Sequence, residues 1–223
     1  MALVQIIKKN YINAAYLIIF GVLMDGFDGT IARITKTESN FGMQLDSLVD
    51  AITFGLVTSM MIYNWGFQTL NFQFGQIIGF VFLSAGVIRL ARFNVYSEVK
   101  AFPSNIFIGL PIPLAALAII SIVLIIEDPL TDEKQALFFA VYVIIVAFLM
   151  ISNIKYRTLK RINPKYSLLT LFILAAIIAL SIKYPSYTIP LLTFMFVISP
   201  LIFFVSKRFK KSKKKETIEK KTD

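Results

Sequence analysis

Four aspartates, Asp25, Asp28, Asp46 and Asp50, stand within 26 residues of one another in stretches that are otherwise apolar. An ionised carboxylate at membrane depth costs roughly 3 kcal/mol, so four together call for a shared binding partner. Clustered carboxylate oxygens suit a hard divalent cation. On a helix, residues three and four apart share a face, which places Asp25 with Asp28 and Asp46 with Asp50. Two antiparallel helices joined by a short turn can bring those faces together. All four charges around one cavity would repel strongly unless protons or cations neutralise them, and two Mg²⁺ or Mn²⁺ ions would balance the set. A pair of such ions clamps a phosphate group and stabilises the attacking and leaving oxygens of a displacement. Glycines at 26, 29 and 42 leave room for a ligand or a neighbouring helix, and Arg33 stands near enough to meet a phosphate. The same acids also fit an ion or proton pathway, or plain pairing with Arg89 and Arg92.

The elements that position these acids are membrane spans. The chain has 223 residues, 57% of them hydrophobic and 14% aromatic, and a mean hydropathy of +0.74. A soluble domain of this length could not hide so much apolar surface, so the fold class expected is all-α, a polytopic helical membrane protein. Seven spans are predicted, at about residues 11–33, 42–65, 74–94, 106–126, 136–152, 166–182 and 187–206. Residues 34–41 read as the turn between the first two, and Tyr63 and Trp65 as interfacial anchors closing the second. No internal repeat is evident.

Charge orients the spans. Of the 23 basic residues, 19 fall on the face that holds the turn after span one, against four on the other: Lys8, Lys9, Lys134 and Lys183. The positive-inside rule makes the first face cytoplasmic, which sets the acidic site at the cytoplasmic side of a cell membrane. The net charge of +10 owes most to the stretch Lys207 to Lys221. That tail, residues 207–223, is read as disordered, cytoplasmic and bound to anionic lipid head groups, with no nucleic-acid partner; residues 1–206 form a single transmembrane domain. The chain has neither cysteine nor histidine. Thiolate chemistry and imidazole bases are excluded, and carboxylates remain as the main candidates for ligand and base.

The ordered string D-x2-D-G-x2-A-R-x8-G-x3-D-x3-D is met in full by Asp25, Asp28, Gly29, Ala32, Arg33, Gly42, Asp46 and Asp50. It resembles the motif of the CDP-alcohol phosphatidyltransferase family. The resemblance implies that Asp25, Asp28 and Asp46 ligate metal, that Asp50 completes the site and acts as base, and that Gly29, Ala32, Arg33 and Gly42 hold the CDP part of the donor. Residues 41–55, Arg89-Leu-Ala-Arg-Phe-Asn94 and 107–113 further resemble the phosphatidylserine synthase branch. The implied substrates are CDP-diacylglycerol and L-serine, and the implied products phosphatidylserine and CMP. Arg89, Arg92 and Asn94 are the candidates for binding the acceptor carboxylate or a phosphate. Another acceptor, such as glycerol 3-phosphate or an inositol phosphate, or an archaeal ether-lipid donor, is the nearest rival; a cation transporter is the rival of another class. Members of the family usually carry one more membrane helix ahead of the motif helix, which would give eight spans. The later spans are left to packing or a homodimer contact.

Overall fold

A computed structural model describes residues 1–35, 39–68, 72–98, 106–157 and 176–200. A short helix α1 (Ala2–Ile7) leads through Lys9, whose φ is +62°, into α2 (Tyr11–Thr35). Helix α3 (Asn40–Gly66) follows. Ser39 caps it, its hydroxyl oxygen accepting the Gly42 N–H at 3.0 Å, which satisfies one of the amides a helix start leaves bare. Next come α4 (Phe72–Glu98), strand β1 (Ile106–Ile108), α5 (Ile112–Ile125), α6 (Glu133–Ile151) and strand β2 (Lys155–Arg157). Two further helices, α7 (176–183) and α8 (Pro185–Pro200), complete the described chain.

Among the described residues, α2, α3, α4 and α6 are long and apolar enough to cross a membrane, while α5 and α8 are shorter apolar helices. Large apolar side chains cover the outside: Phe20, Phe27, Phe80, Phe138 and Phe148 are all more than half exposed. Water would not tolerate such a surface, but lipid does, and this is an integral membrane protein. The predicted span at 166–182 falls mostly outside the described residues, as does the basic tail.

Three local expectations change. The fourth span was placed from residue 106, yet its helix begins only at Ile112. Pro111 occupies the N-cap and Pro113 the first turn, where a missing N–H costs nothing, and Gly109 turns the chain at φ +74°. The three residues before that turn pair antiparallel with β2, Ile106 opposite Arg157 and Ile108 opposite Lys155, adding a small ladder to a helical protein. Trp65 is no interfacial anchor. It is fully buried and meets Phe139 of α6 edge-on, with centroids 5.2 Å apart.

Close helix contact around α3 depends on small residues. The Ser59 hydroxyl spans two backbones, 2.9 Å from the Gly55 carbonyl oxygen and 2.8 Å from that of Gly79 on α4. A Cβ on Gly79 would stand 3.1 Å from the Ser59 carbonyl oxygen, so glycine lets the helices touch. Within α3 the segments Ala51–Leu56 and Ile62–Gly66 take wider π-helical turns. Such turns are rare and concentrate at functional sites, and the first begins directly after Asp50.

Candidate active site

Helix α2 carries Asp25 and Asp28, and the first three turns of α3 carry Asp46 and Asp50. The two helices cross closely at Gly21, where a Cβ would lie 3.4 Å from Thr53 Cγ2 and 3.7 Å from the Phe54 ring. One turn further along α2 from that crossing stands Asp25, and one turn back along α3 stands Asp50. Their carboxylates therefore converge.

The convergence is tight: one carboxylate oxygen each from Asp25, Asp46 and Asp50 lies within 4.8 Å of the others. Asp50 is 8% exposed, Asp25 half-buried and Asp46 exposed, so the cluster opens toward the α2–α3 end of the bundle. Asp28, exposed and one turn closer to that end, stands outside this group, although its charge reaches both Asp25 and Asp46. At an effective dielectric near 20, each ionised pair at such separations costs about 3 kcal/mol or more. A donor set of oxygens alone, grouped at this spacing and open on one side, fits a hard divalent cation such as Mg²⁺ or Mn²⁺.

The glycines of the motif differ in their surroundings. A Cβ on Gly26 would meet nothing within 4 Å, which leaves open space beside the acids. Gly42 sits in the first turn of α3, its amide held by Ser39. Gly29 is half-buried on α2. Ala32 and Arg33 continue the α2 backbone, and their side chains lie outside the described structure.

The two arginines of α4 part ways. Arg89 is 6% exposed and its charge faces Asp50 and Asp25. Its guanidinium lies 5.2 Å from the centre of the Phe93 ring, and its buried Nε has no hydrogen-bond partner. Arg92 points the other way. Its Nη1 donates to the Ile151 carbonyl oxygen at 2.7 Å and to Asn153 Oδ1 at 3.2 Å, and its Nη2 to the Ser152 and Met150 carbonyls at 3.0 and 3.3 Å. These are the carbonyls that the end of α6 leaves without intrahelical partners, and a fixed cation there also meets the negative end of the helix dipole.

Asn94 is 7% exposed and reaches α3 instead of open space. Its Nδ2 donates to Gln44 Oε1 at 3.2 Å and to Ser47 Oγ at 3.0 Å, while its Oδ1 accepts the Ser47 hydroxyl at 3.1 Å. Gln44, Ser47 and the crossing glycine Gly21 are the residues that sequence reasoning passed over. Gln44 and Ser47 did carry a signal: polar residues three apart on a helix, flanking the acids, on a span where lipid-facing positions are apolar.

Comparison with known proteins adds independent weight. The family model for CDP-alcohol phosphatidyltransferase matches residues 1–206. A CDP-diacylglycerol–serine O-phosphatidyltransferase of Helicobacter pylori is 33% identical over 207 residues, covering 87% of this chain and 84% of the relative. One of the same description from Bacillus subtilis is 31% identical over 161 residues, 72% of this chain and 84% of its own. An archaetidylserine synthase of Methanothermobacter thermautotrophicus is 37% identical over 150 residues, 65% of this chain and 58% of the relative.

Proposed function

The chain belongs to the CDP-alcohol phosphatidyltransferase family, and from that premise we propose that it transfers the phosphatidyl group of CDP-diacylglycerol to the hydroxyl of L-serine, giving phosphatidylserine and CMP. The observation that carries the reading is the meeting of Asp25, Asp46 and Asp50 from two helices within 4.8 Å. Serine is the acceptor that the names of the bacterial and archaeal relatives have in common, whereas their lipid portions differ. The acceptor is thus the better supported half of the substrate pair.

Asp25, Asp46 and Asp50 would hold one divalent ion, and Asp28, with its charge reaching the first two, would join them in holding a second. When bound, Mg²⁺ or Mn²⁺ neutralises the donor diphosphate and the charge that develops on departing CMP. The chain's own groups do the rest. Asp50, the most buried of the acids, takes the proton from the serine hydroxyl as that oxygen bonds to the lipid-bearing phosphorus. The bond from that phosphorus to the oxygen shared with CMP breaks, and CMP leaves with the electron pair. Gly29, Ala32, Arg33 and Gly42, along the same two helices, receive the CDP group.

A serine zwitterion brings a carboxylate toward a site already rich in negative charge. Arg89 supplies the compensating cation: it is buried, faces the acids and keeps a free Nε–H donor. Arg92 is committed to the end of α6. The mouth of the site faces the cytoplasm in this reading, because the strongly basic loops share its side of the membrane. There a nucleotide head group arrives from water while its acyl chains stay in the bilayer.

The test is direct. Purified protein receives CDP-diacylglycerol, Mn²⁺ and, in separate reactions, serine, glycerol 3-phosphate or an inositol phosphate, and CMP is measured. Release with serine supports the assignment; release only with a phosphorylated acceptor overturns it.

A further inference from the structure

We propose that Asn94 is a positioning residue for the metal-binding acids: it sets the rotation of the α3 segment that carries Asp46 and Asp50, and does not itself touch a substrate. The proposal rests on the metal-dependent reading above and deepens it. Asn94 belongs to α4, yet both of its Nδ2 hydrogens and an acceptor site of its Oδ1 are directed at α3. One Nδ2 hydrogen goes to Gln44 and the other to Ser47, while Oδ1 accepts from Ser47. No Nδ2 donor is left for a phosphate or a carboxylate.

The position of those partners explains what the contact does. Ser47 follows Asp46 directly and precedes Asp50 by three residues, so any rotation of Ser47 about the helix axis carries both acids with it. The segment Asn40–Asp50 has little else to hold it. Beyond its own continuation it packs mainly on α4, and Phe41, Leu45, Leu48 and Val49 are all exposed. Such apolar residues slide against lipid with no angular preference. Hydrogen bonds from a buried carboxamide do have one, and Ser47 both gives to Asn94 and takes from it, which fixes the relative orientation of the two side chains. Removing the groups that orient metal ligands typically weakens metal binding by about 10- to 100-fold.

Four variants test this: Asn94→Ala, Ser47→Ala, Gln44→Ala and the Asn94→Ala/Ser47→Ala double. Mn²⁺ uptake by the purified protein without substrate is read from the loss of free-Mn²⁺ electron paramagnetic resonance signal. CMP release is titrated separately against Mn²⁺, serine and CDP-diacylglycerol, and thermal unfolding is recorded. Asn94→Ala is expected to weaken Mn²⁺ binding about tenfold, with KM for serine at saturating Mn²⁺ changed by less than about twofold. The double variant should bind Mn²⁺ no more weakly than Asn94→Ala, since both remove one interaction. Gln44 is exposed, so its variant folds even if the buried ones do not, and it should show a smaller loss in the same direction. Unchanged Mn²⁺ affinity with a raised KM for serine or donor overturns the proposal by making Asn94 a substrate ligand. Unchanged Mn²⁺ affinity with lowered thermal stability overturns it in favour of packing alone. Wild-type protein that neither binds Mn²⁺ nor releases CMP overturns the transferase reading and this inference together, whereas wild-type binding that all variants keep overturns only the inference.

Discussion

The carboxyl groups of Asp25 and Asp50 come from different helices, yet an oxygen of one lies within 4.8 Å of an oxygen of the other. Two carboxylates this close repel one another unless a proton or a cation neutralises them, and a divalent cation supplies the larger neutralising charge. In the proposed reaction Asp50 both holds metal and, as the most buried of the four motif acids, accepts the proton of the alcohol.

Asp50→Asn keeps the shape of the side chain and removes its basicity. CMP release should fall by about 100-fold or more, within the range a positioned general base contributes. Residual activity within about threefold of wild type at saturating Mn²⁺ would show that the proton goes elsewhere.

Metal removal should be reversible. EDTA should abolish CMP release, and added Mg²⁺ or Mn²⁺ should restore it, because the site offers only oxygen ligands. Asp46→Asn should raise the Mn²⁺ concentration needed for half-maximal activity by about tenfold or more. Activity that survives EDTA contradicts a metal-dependent mechanism.

The two arginines should separate under the same substitution. Arg89→Lys loses the guanidinium fork beside the acids, so KM for serine should rise by about tenfold while thermal stability changes little. Arg92→Lys cannot reach several carbonyls at the end of α6 at once, so stability should fall by about 1.5 to 3 kcal/mol with KM for serine unchanged. Serine titrations and detergent-compatible thermal unfolding of both variants decide the point, and the reverse pattern contradicts the assignment.

Gly109→Ala probes the joint between β1 and α5. Gly109 has φ +74°, and a Cβ there would collide with the Met150 carbonyl oxygen, which also accepts from Arg92. The strained conformation alone costs about 1 to 3 kcal/mol, and the clash adds to it. A thermal midpoint equal to wild type would mean that the turn tolerates a side chain.

Hydrophobic length and charge made most of the architecture legible in advance. A span needs about 20 apolar residues whatever its neighbours are, so α2, α3, α4 and α6 stand close to where composition puts them. Helical periodicity also places Asp46 with Asp50, which do meet, and Asp25 with Asp28, whereas Asp28 stands outside the group that Asp25 forms with Asp46 and Asp50. Local chemistry misjudged the start of α5, because an apolar run from Ile106 looks the same whether it begins as helix or as strand. The choice fell to the pairing with Lys155–Arg157, almost fifty residues away.

What the sequence by itself determined is an all-helical membrane protein with a metal-competent acidic motif, because span length and residue periodicity are properties of short segments. What only the tertiary structure decided is which polar groups meet. Arg89 and Arg92 lie three residues apart at the same end of one helix and are indistinguishable by type. The end of α6 lies against one of them and takes its donors, leaving the other buried beside Asp50. Asn94 likewise spends both Nδ2 hydrogens on Gln44 and Ser47 of α3, partners that its residue type does not reveal. A side chain's hydrogen-bonding capacity is finite, and distant segments of the chain determine where it is used.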